Sequence, residues 1–359
     1  MMILFVLANA AAGLFLAWDT WRLLPVRPGR GRQALLVVLM AVFLSASMTT
    51  TVAYSVMVYY AALLLAVQLV WRLVKKNWHA PWLAALVCLL LAGGITIWGM
   101  VHYDQRVATH YTLETEKDAS GRLVFLSDLH YPTGMTSQKL TKLVKQLEKE
   151  HPDAYILGGD IVDEYTTAPQ AREAFKILGQ LDRTAPVFYV PGNHDDQEEG
   201  ILPPVYTAQE LDDMIESAGI RILRDDTVTV GDFELSGRDD YRQHKKDRKA
   251  ADGLVTDTEK YDVVIDHQPV QSEKVREAGA DLMLSGHTHN GQLWPFGYLI
   301  HLHPKMDMVS GIRQEDGFTQ ITSDGIGGWG FAARTAGNSE YVVVDVVPET
   351  NTGQKAASR

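Results

Sequence analysis

Five short stretches between Asp128 and His289 carry side chains of metal-ligand type. They read Ser127-Asp128-Leu129-His130, Gly158-Gly159-Asp160-Ile161-Val162-Asp163, Gly192-Asn193-His194-Asp195, His267-Gln268-Pro269 and Gly286-His287-Thr288-His289-Asn290-Gly291-Gln292. Imidazole mixed with carboxylate and amide oxygen suits Mn, Fe, Zn or Co. Two such ions a few ångströms apart repel each other, and a bridging carboxylate offsets that repulsion. A dinuclear centre of this kind lowers the pKa of water and clamps the attacking and leaving oxygens of an in-line displacement. The chemistry implied is attack of water or hydroxide on a phosphorus atom. Taken singly, each stretch also fits a turn at a strand end. Runs of polar residues such as 192–195 and 286–289 are poor choices for packing, and the five together set the packing explanation aside.

The elements that must position these side chains follow from the apolar pattern. Residues 122–126, 153–157, 186–190, 261–265 and 281–284 are strand-like, and each runs straight into one of the five stretches. Residues 137–150 and 171–181 have helical periodicity, the first with Leu140, Leu143, Val144 and Leu147 on one face. Ligands at the carboxyl ends of neighbouring strands converge, where open α/β sheets place their sites. Glycines at 159, 192 and 286 allow the backbone to turn close to the centre.

Charge divides the chain. Residues 1–100 hold seven Lys/Arg and one acidic residue, Asp19, a formal +6; the total is −11, so the remainder carries −17. A net-acidic catalytic half argues against nucleic acid as a partner. The basic run at residues 242–249 is expected to be a solvated loop, with contact to a substrate phosphate or a lipid headgroup as the alternative. Cys88 is the single cysteine, so no intrachain disulfide forms.

The first hundred residues read as an anchor of about four transmembrane helices, at 2–20, 33–50, 54–72 and 80–100. The charge-free run from 33 to 71 would span roughly 60 Å as one helix, twice a bilayer core, so it must turn back, near residues 48–54. Arg22, Arg27, Arg30 and Arg32 follow the first span, and Arg72, Lys75 and Lys76 precede the last. The positive-inside rule places both clusters in the cytoplasm and everything after residue 100 outside it. The expectation is an integral, multi-pass protein of the cell membrane with an extracytoplasmic catalytic domain. A linker is expected at 101–121, the catalytic domain at 122–348 and a flexible tail at 349–359.

The five blocks, in this order, resemble the calcineurin-like metallophosphoesterase superfamily over about residues 122–347. The block from Gly286 to Gln292 followed by Pro295-Phe296-Gly297 resembles its membrane-associated or exported branch, with Asn290 standing where a glycine is usual. The resemblance implies a four-layer αββα sandwich, here preceded by the all-α transmembrane bundle. It implies two divalent ions, one held by Asp128, His130, Asp160 and His289, the other by Asp160, Asn193, His267 and His287. His194 would contact the phosphate and protonate or orient the leaving oxygen. Asp163 and Asp195 would orient imidazoles. Arg334, after the glycine loop at 323–327, would serve substrate or structure with equal weight. Trp294, Phe296, Trp329 and Phe331, near the motif loops, are expected in core packing, with contact to an acyl chain or base of the substrate as the alternative, and His301 and His303 in surface or packing roles.

The function expected is a membrane-anchored, metal-dependent phosphoesterase hydrolysing phosphodiester or pyrophosphate bonds of a membrane-associated or extracytoplasmic substrate, lipid-linked substrates included. The lipid bilayer is the expected partner. The alternatives are a non-catalytic metal-containing sensor or binding module, which would not need His194, and a small transporter, which would need polar groups within its spans.

Overall fold

The computed structural model describes residues 53–74, 81–198, 203–241, 248–255, 259–302 and 305–349. The spans expected at 2–20 and 33–50, and the tail beyond 349, lie outside the described residues. The chain divides into two compact units. The first comprises the residues up to His102 together with Gly330–Thr335, and the second Tyr103–Trp329 with the segment from Ala336 on.

In the first unit two helices are described, α1 (Ala53–Val74) and α2 (Pro81–Tyr103). They correspond to the last two expected spans. Stretches Tyr54–Leu73 and Trp82–Tyr103 are long and apolar enough to cross a membrane by length and composition, and only 17% and 28% of each is buried. Leu65, Leu69, Leu73, Leu86, Leu90 and Ile97 are exposed on them. The buried Ser55 hydroxyl donates to Thr96 Oγ1 at 3.1 Å and ties the two together.

Among the described residues the second unit holds twelve strands. In chain order they are β1 (Arg106–Thr115), β2 (Gly121–Leu126), β3 (Ala154–Leu157), β4 (Val187–Tyr189), β5 (Arg221–Ile222) and β6 (Asp226–Val230). There follow β7 (Phe233–Gly237), β8 (Tyr261–Ile265), β9 (Leu282–Ser285), β10 (Gly311–Glu315), β11 (Phe318–Thr322) and β12 (Ser339–Pro348). They form two six-stranded mixed sheets, ordered β1-β12-β2-β3-β4-β5 and β10-β11-β9-β8-β7-β6. The expected linker is corrected here. α2 runs on to Tyr103, and β1 pairs in parallel with β12 along its whole length. The Thr-, His- and Arg-bearing sequence of β1 hid it, because an edge strand with a wetted face needs little apolar character.

Period-two alternation places the cores. Val124 and Leu126 of β2 pack with Leu140, Leu143 and Leu147 of α3 (Ser137–Leu147) and with Phe175 of α4 (Ala168–Leu178). Leu123 and Phe125 point the other way and meet Val263, Ile265, Leu284 and Ile321 of the second sheet. On the far side of that sheet Val264 and Met283 cover Val275 of the short helix α6, Ser272–Glu277, which follows α5 (Ala208–Glu216). The helices are fixed locally as well. Thr136 caps α3 by accepting from Lys139 N, and Thr167 with Gln170 closes a capping box on α4.

Candidate metal centre

Strands β2, β3 and β4 are parallel neighbours whose ends are level, Leu126 beside Leu157 and Leu157 beside Tyr189. Strands β8 and β9 do the same in the other sheet, Ile265 beside Leu284. Each of these five ends delivers one of the five stretches. The chain turns sharply there. Asp128, His130, Asp160, His287 and His289 all take positive φ, between 46° and 71°. For non-glycine residues that conformation costs about 1 kcal/mol or more, and it persists where the surroundings or a function demand it. Glycine is obligatory at two contacts. A Cβ on Gly192 would strike the Asp160 carboxylate, and one on Gly286 would strike Asp128 Oδ2 and Ser127 Oγ.

The result is two groups of potential ligands. Asp128, His130 and His289 form one, Asp160, His267 and His287 the other, and within each group the ligand atoms lie within 4.8 Å of one another. His130 Nε2 is 3.1 Å from His289 Nε2, which is 3.5 Å from Asp128 Oδ1. Asp160 Oδ2 lies 3.1 Å from His267 Nε2 and 3.8 Å from His130 Nε2, so it faces both groups, as a bridge must. Asn193 is fully buried in the turn beside them.

These residues fit a cation pair. His267 Nδ1 lies 2.8 Å from Gly158 O, and donation there assigns the proton to Nδ1. The neutral ring then aims its Nε2 lone pair at a carboxylate oxygen, an arrangement favourable only with a proton or a cation between them. Protons serve when no cation is present. Burial opposes charge on His267, yet Asp160 holds its pKa well above the usual value. Burial likewise opposes ionisation of Asp160, yet His267 and His194 hold it well below the carboxylate range. Burial, with the neighbouring His289 and His194 rings, drives His130 down to about 3 against the pull of Asp160 and Asp128, ready as a neutral ligand. Cation binding must therefore expel the His267 proton. Calorimetry of Mn²⁺ binding at pH 7, in buffers of different ionisation enthalpy, should show release of about one proton per chain, with affinity rising as pH rises.

His194 stands apart from the ligands. Its Nε2 is 4.0 Å from Asp160 Oδ2, its amide donates to Asp160 Oδ1 at 2.9 Å, and its Nδ1 pairs with the Glu164 carboxylate. Burial opposes the charged ring, but Asp160 and Glu164 outweigh it and raise its pKa to about 9. Glu164 was not foreseen. The acid expected to orient an imidazole was its neighbour Asp163, which instead accepts from Tyr165 N at 2.9 Å and from the hydroxyls of Thr166 and Thr133. Asp195 also departs from expectation. Fully buried, it accepts the amide protons of Asp160, Ile161, Val162 and Gly192 at 2.8–3.1 Å, and so shapes the two ligand turns rather than a ring.

Other sequence expectations fall outside this group. Arg334 belongs to the first unit, fully buried, with its amide donating to Gly99 O at 3.0 Å. Phe331 is in that unit too, beside Tyr54. Of the basic run, 242–247 lie outside the described residues. Arg248 is no solvated side chain, since it is 3% exposed and pairs with the buried Asp266, which also takes Arg238 at 3.1 Å. Asn290 holds φ 50°, a conformation asparagine tolerates, so the loop keeps its turn without the usual glycine. His301 is exposed, and His303 lies outside the described residues.

The calcineurin-like phosphoesterase family model matches residues 121–291. A metallophosphoesterase of Aquifex aeolicus is 30% identical over 254 residues, 67% of this chain and 92% of that protein. A Danio rerio protein described as a transmembrane protein with metallophosphoesterase domain is 28% identical over 280 residues, 71% of this chain and 61% of that one. The phosphodiesterase YaeI of Escherichia coli is 30% identical over 179 residues, 48% and 62% of the two chains. The chain spans 61% of the length of the first curated relatives it matches.

Proposed function

The chain belongs to the calcineurin-like phosphoesterase family, and from that premise we propose that it is a membrane-anchored, metal-dependent hydrolase of phosphodiester or pyrophosphate bonds. The observation that carries this reading is Asp160 facing two ligand groups at once, with His194 beside but outside them. Asp128, His130 and His289 would hold one divalent ion, and His267, His287 and Asn193 the other, with Asp160 between. Such a pair, when bound, acidifies water and offsets negative charge on a phosphoryl group.

The protein's own groups supply the rest. His194 keeps a proton at Nε2 for the departing oxygen while Glu164 holds Nδ1. The ring is 16% exposed on its side chain, where the fully buried His130 and His267 are not. It can therefore meet a substrate that the buried ligands cannot.

The Escherichia coli relative, a phosphodiesterase, supports diesters, and the Danio rerio relative, a transmembrane protein, supports the membrane. The −17 of the catalytic half disfavours nucleic acid. The multi-pass anchor and the extracytoplasmic catalytic unit are proposed from the two Arg/Lys clusters. A periplasmic-type reporter fused after Tyr103 should be active, and one active only in the cytoplasm would reverse the orientation.

The deciding measurement is hydrolysis of bis-p-nitrophenyl phosphate by the full chain with Mn²⁺, abolished by chelation and restored by Mn²⁺. Absence of turnover with Mn, Fe, Zn and Co alike would leave a metal-containing binding module.

A further inference from the structure

The loop at 323–329 lies directly on the first ligand turn. Ile326 N donates to Ser127 O at 3.0 Å and Gly327 N to Asp128 O at 2.9 Å. A Cβ on Gly325 would come within 2.6 Å of Asp128 Cβ. No side chain fits between this loop and the ligand turn, which accounts for Gly325 and Gly327. The residue delivered at its end is Trp329. Its ring stacks on His194, centroids 6.0 Å apart and planes 30° apart, yet it is 44% exposed. Core packing was the leading expectation for this tryptophan, with an acyl chain or base as the alternative. A ring held firmly against the group that handles the leaving oxygen, but left half in water, is a wall of the site's mouth.

That wall continues into an apolar rim. Gly328 would carry its Cβ 3.0 Å from Gln292 Nε2, so the Trp329 loop borders the segment that leaves the ligand loop. In this segment the short helix α7 (Phe296–His301) packs on the ligand loop itself, since a Cβ on Gly297 would lie 2.8 Å from Asn290 O. Trp294, Tyr298, Leu299 and Leu302 are 58–77% exposed there. Among the described residues outside the two apolar helices, nine large apolar side chains are exposed, and five of them are these four and Trp329. Residues 293–302 include no Asp, Glu, Lys or Arg, in a half of the chain that carries −17. Exposed apolar clusters of this kind mark a contact surface.

We infer that this rim receives the alkyl or acyl arm of an amphipathic phosphoester, with Trp329 as the specificity-determining residue nearest the scissile phosphorus. The inference rests on the phosphoesterase reading and narrows its substrate class. Continuity of the rim with the ligand loop and with His194 argues for an arm of the substrate rather than a separate partner. Its lack of charge, and its extent over five side chains, suit a hydrocarbon chain better than a single planar base. The two bilayer-length helices of the same chain put lipid within its surroundings.

The test uses full-length, Mn²⁺-loaded protein in lipid nanodiscs. Calorimetric binding of methyl phosphate and decyl phosphate is compared with turnover of the methyl and decyl esters of p-nitrophenyl phosphate. Decyl phosphate should bind at least about tenfold more tightly than methyl phosphate, because each methylene leaves water. Trp329→Ser, and separately the pair Leu299→Ser with Leu302→Ser, should lower that ratio several-fold, while Trp329→Phe should keep most of it. Partition of the decyl chain into the disc is common to all variants, so the differences report the rim. Should one variant unfold, as thermal denaturation would show, the other decides. Equal decyl-to-methyl ratios in wild type and folded variants overturn the inference. Rim-dependent binding without hydrolysis of either ester would uphold it and sink the hydrolase reading instead.

Discussion

Replacing Asp160 with Asn should lower kcat/KM by about 10³-fold or more and cut the metal content from about two ions per chain to one or fewer. The expectation follows from how much converges on one carboxylate. Its Oδ2 faces His267, His130 and His194 at 3.1, 3.8 and 4.0 Å, and its Oδ1 accepts the His194 amide. Asparagine keeps the shape but presents no negative charge between two cations, and it can turn N–H groups toward them. Asp128→Asn is the matched comparison. Asp128 groups with His289 and His130 and also accepts the His287 amide at 3.0 Å. Its loss should empty one position and leave the other occupied. Elemental analysis beside kinetics separates the two variants. Two ions and near-normal turnover in Asp160→Asn would remove the bridging role.

The ligand stretches were readable because the chain spells them out locally, whereas the bridging role of Asp160 came from the family resemblance. Each ligand stretch begins where an apolar strand stops, and polar residues there have no core to enter. Two sheets were not readable from the same pattern. Strands β5, β6 and β10 are two to five residues long with mixed polarity, and only their pairing in space makes them strands. β1 was hidden for the same reason, its partner β12 lying more than two hundred residues away.

The second tier of the site was less legible still. Asp163, Glu164 and Asp195 are all acids within reach of the same turns, and sequence alone does not say which carboxylate meets an imidazole. Backbone direction decides it. Asp195 is drawn under the turn by four amide donors, and Asp163 is folded back onto Tyr165 N, which leaves Glu164 to reach His194. Arg334 was open in the sequence between substrate and structure, and it is one of the six residues Gly330–Thr335 that belong to the unit of the apolar helices.

The Glu164–His194 pair supplies the other large expected effect. His194→Ala should reduce kcat by about 10²–10⁴-fold, the usual worth of a positioned proton donor, while leaving two bound ions, because His194 lies outside both ligand groups. Glu164→Gln should cost less, about 10–100-fold, the range for a residue that orients another. The pH profile distinguishes orientation from simple structural support. A general acid works only while protonated, so activity is lost as pH rises through its pKa. Glu164 is one of the groups that raise the His194 pKa, and its neutralisation must bring that pKa down. The alkaline limb of kcat against pH should therefore move to lower pH in Glu164→Gln, and by less in Asp163→Asn, whose carboxylate also faces His194 but makes no hydrogen bond to it. Burial disfavours the charged form of Glu164, yet its hydrogen bond to His194 holds its pKa below the usual value, so the carboxylate is present across the whole working range. An unshifted limb with reduced kcat would mean that Glu164 merely packs, and the proton at the leaving oxygen would need another source.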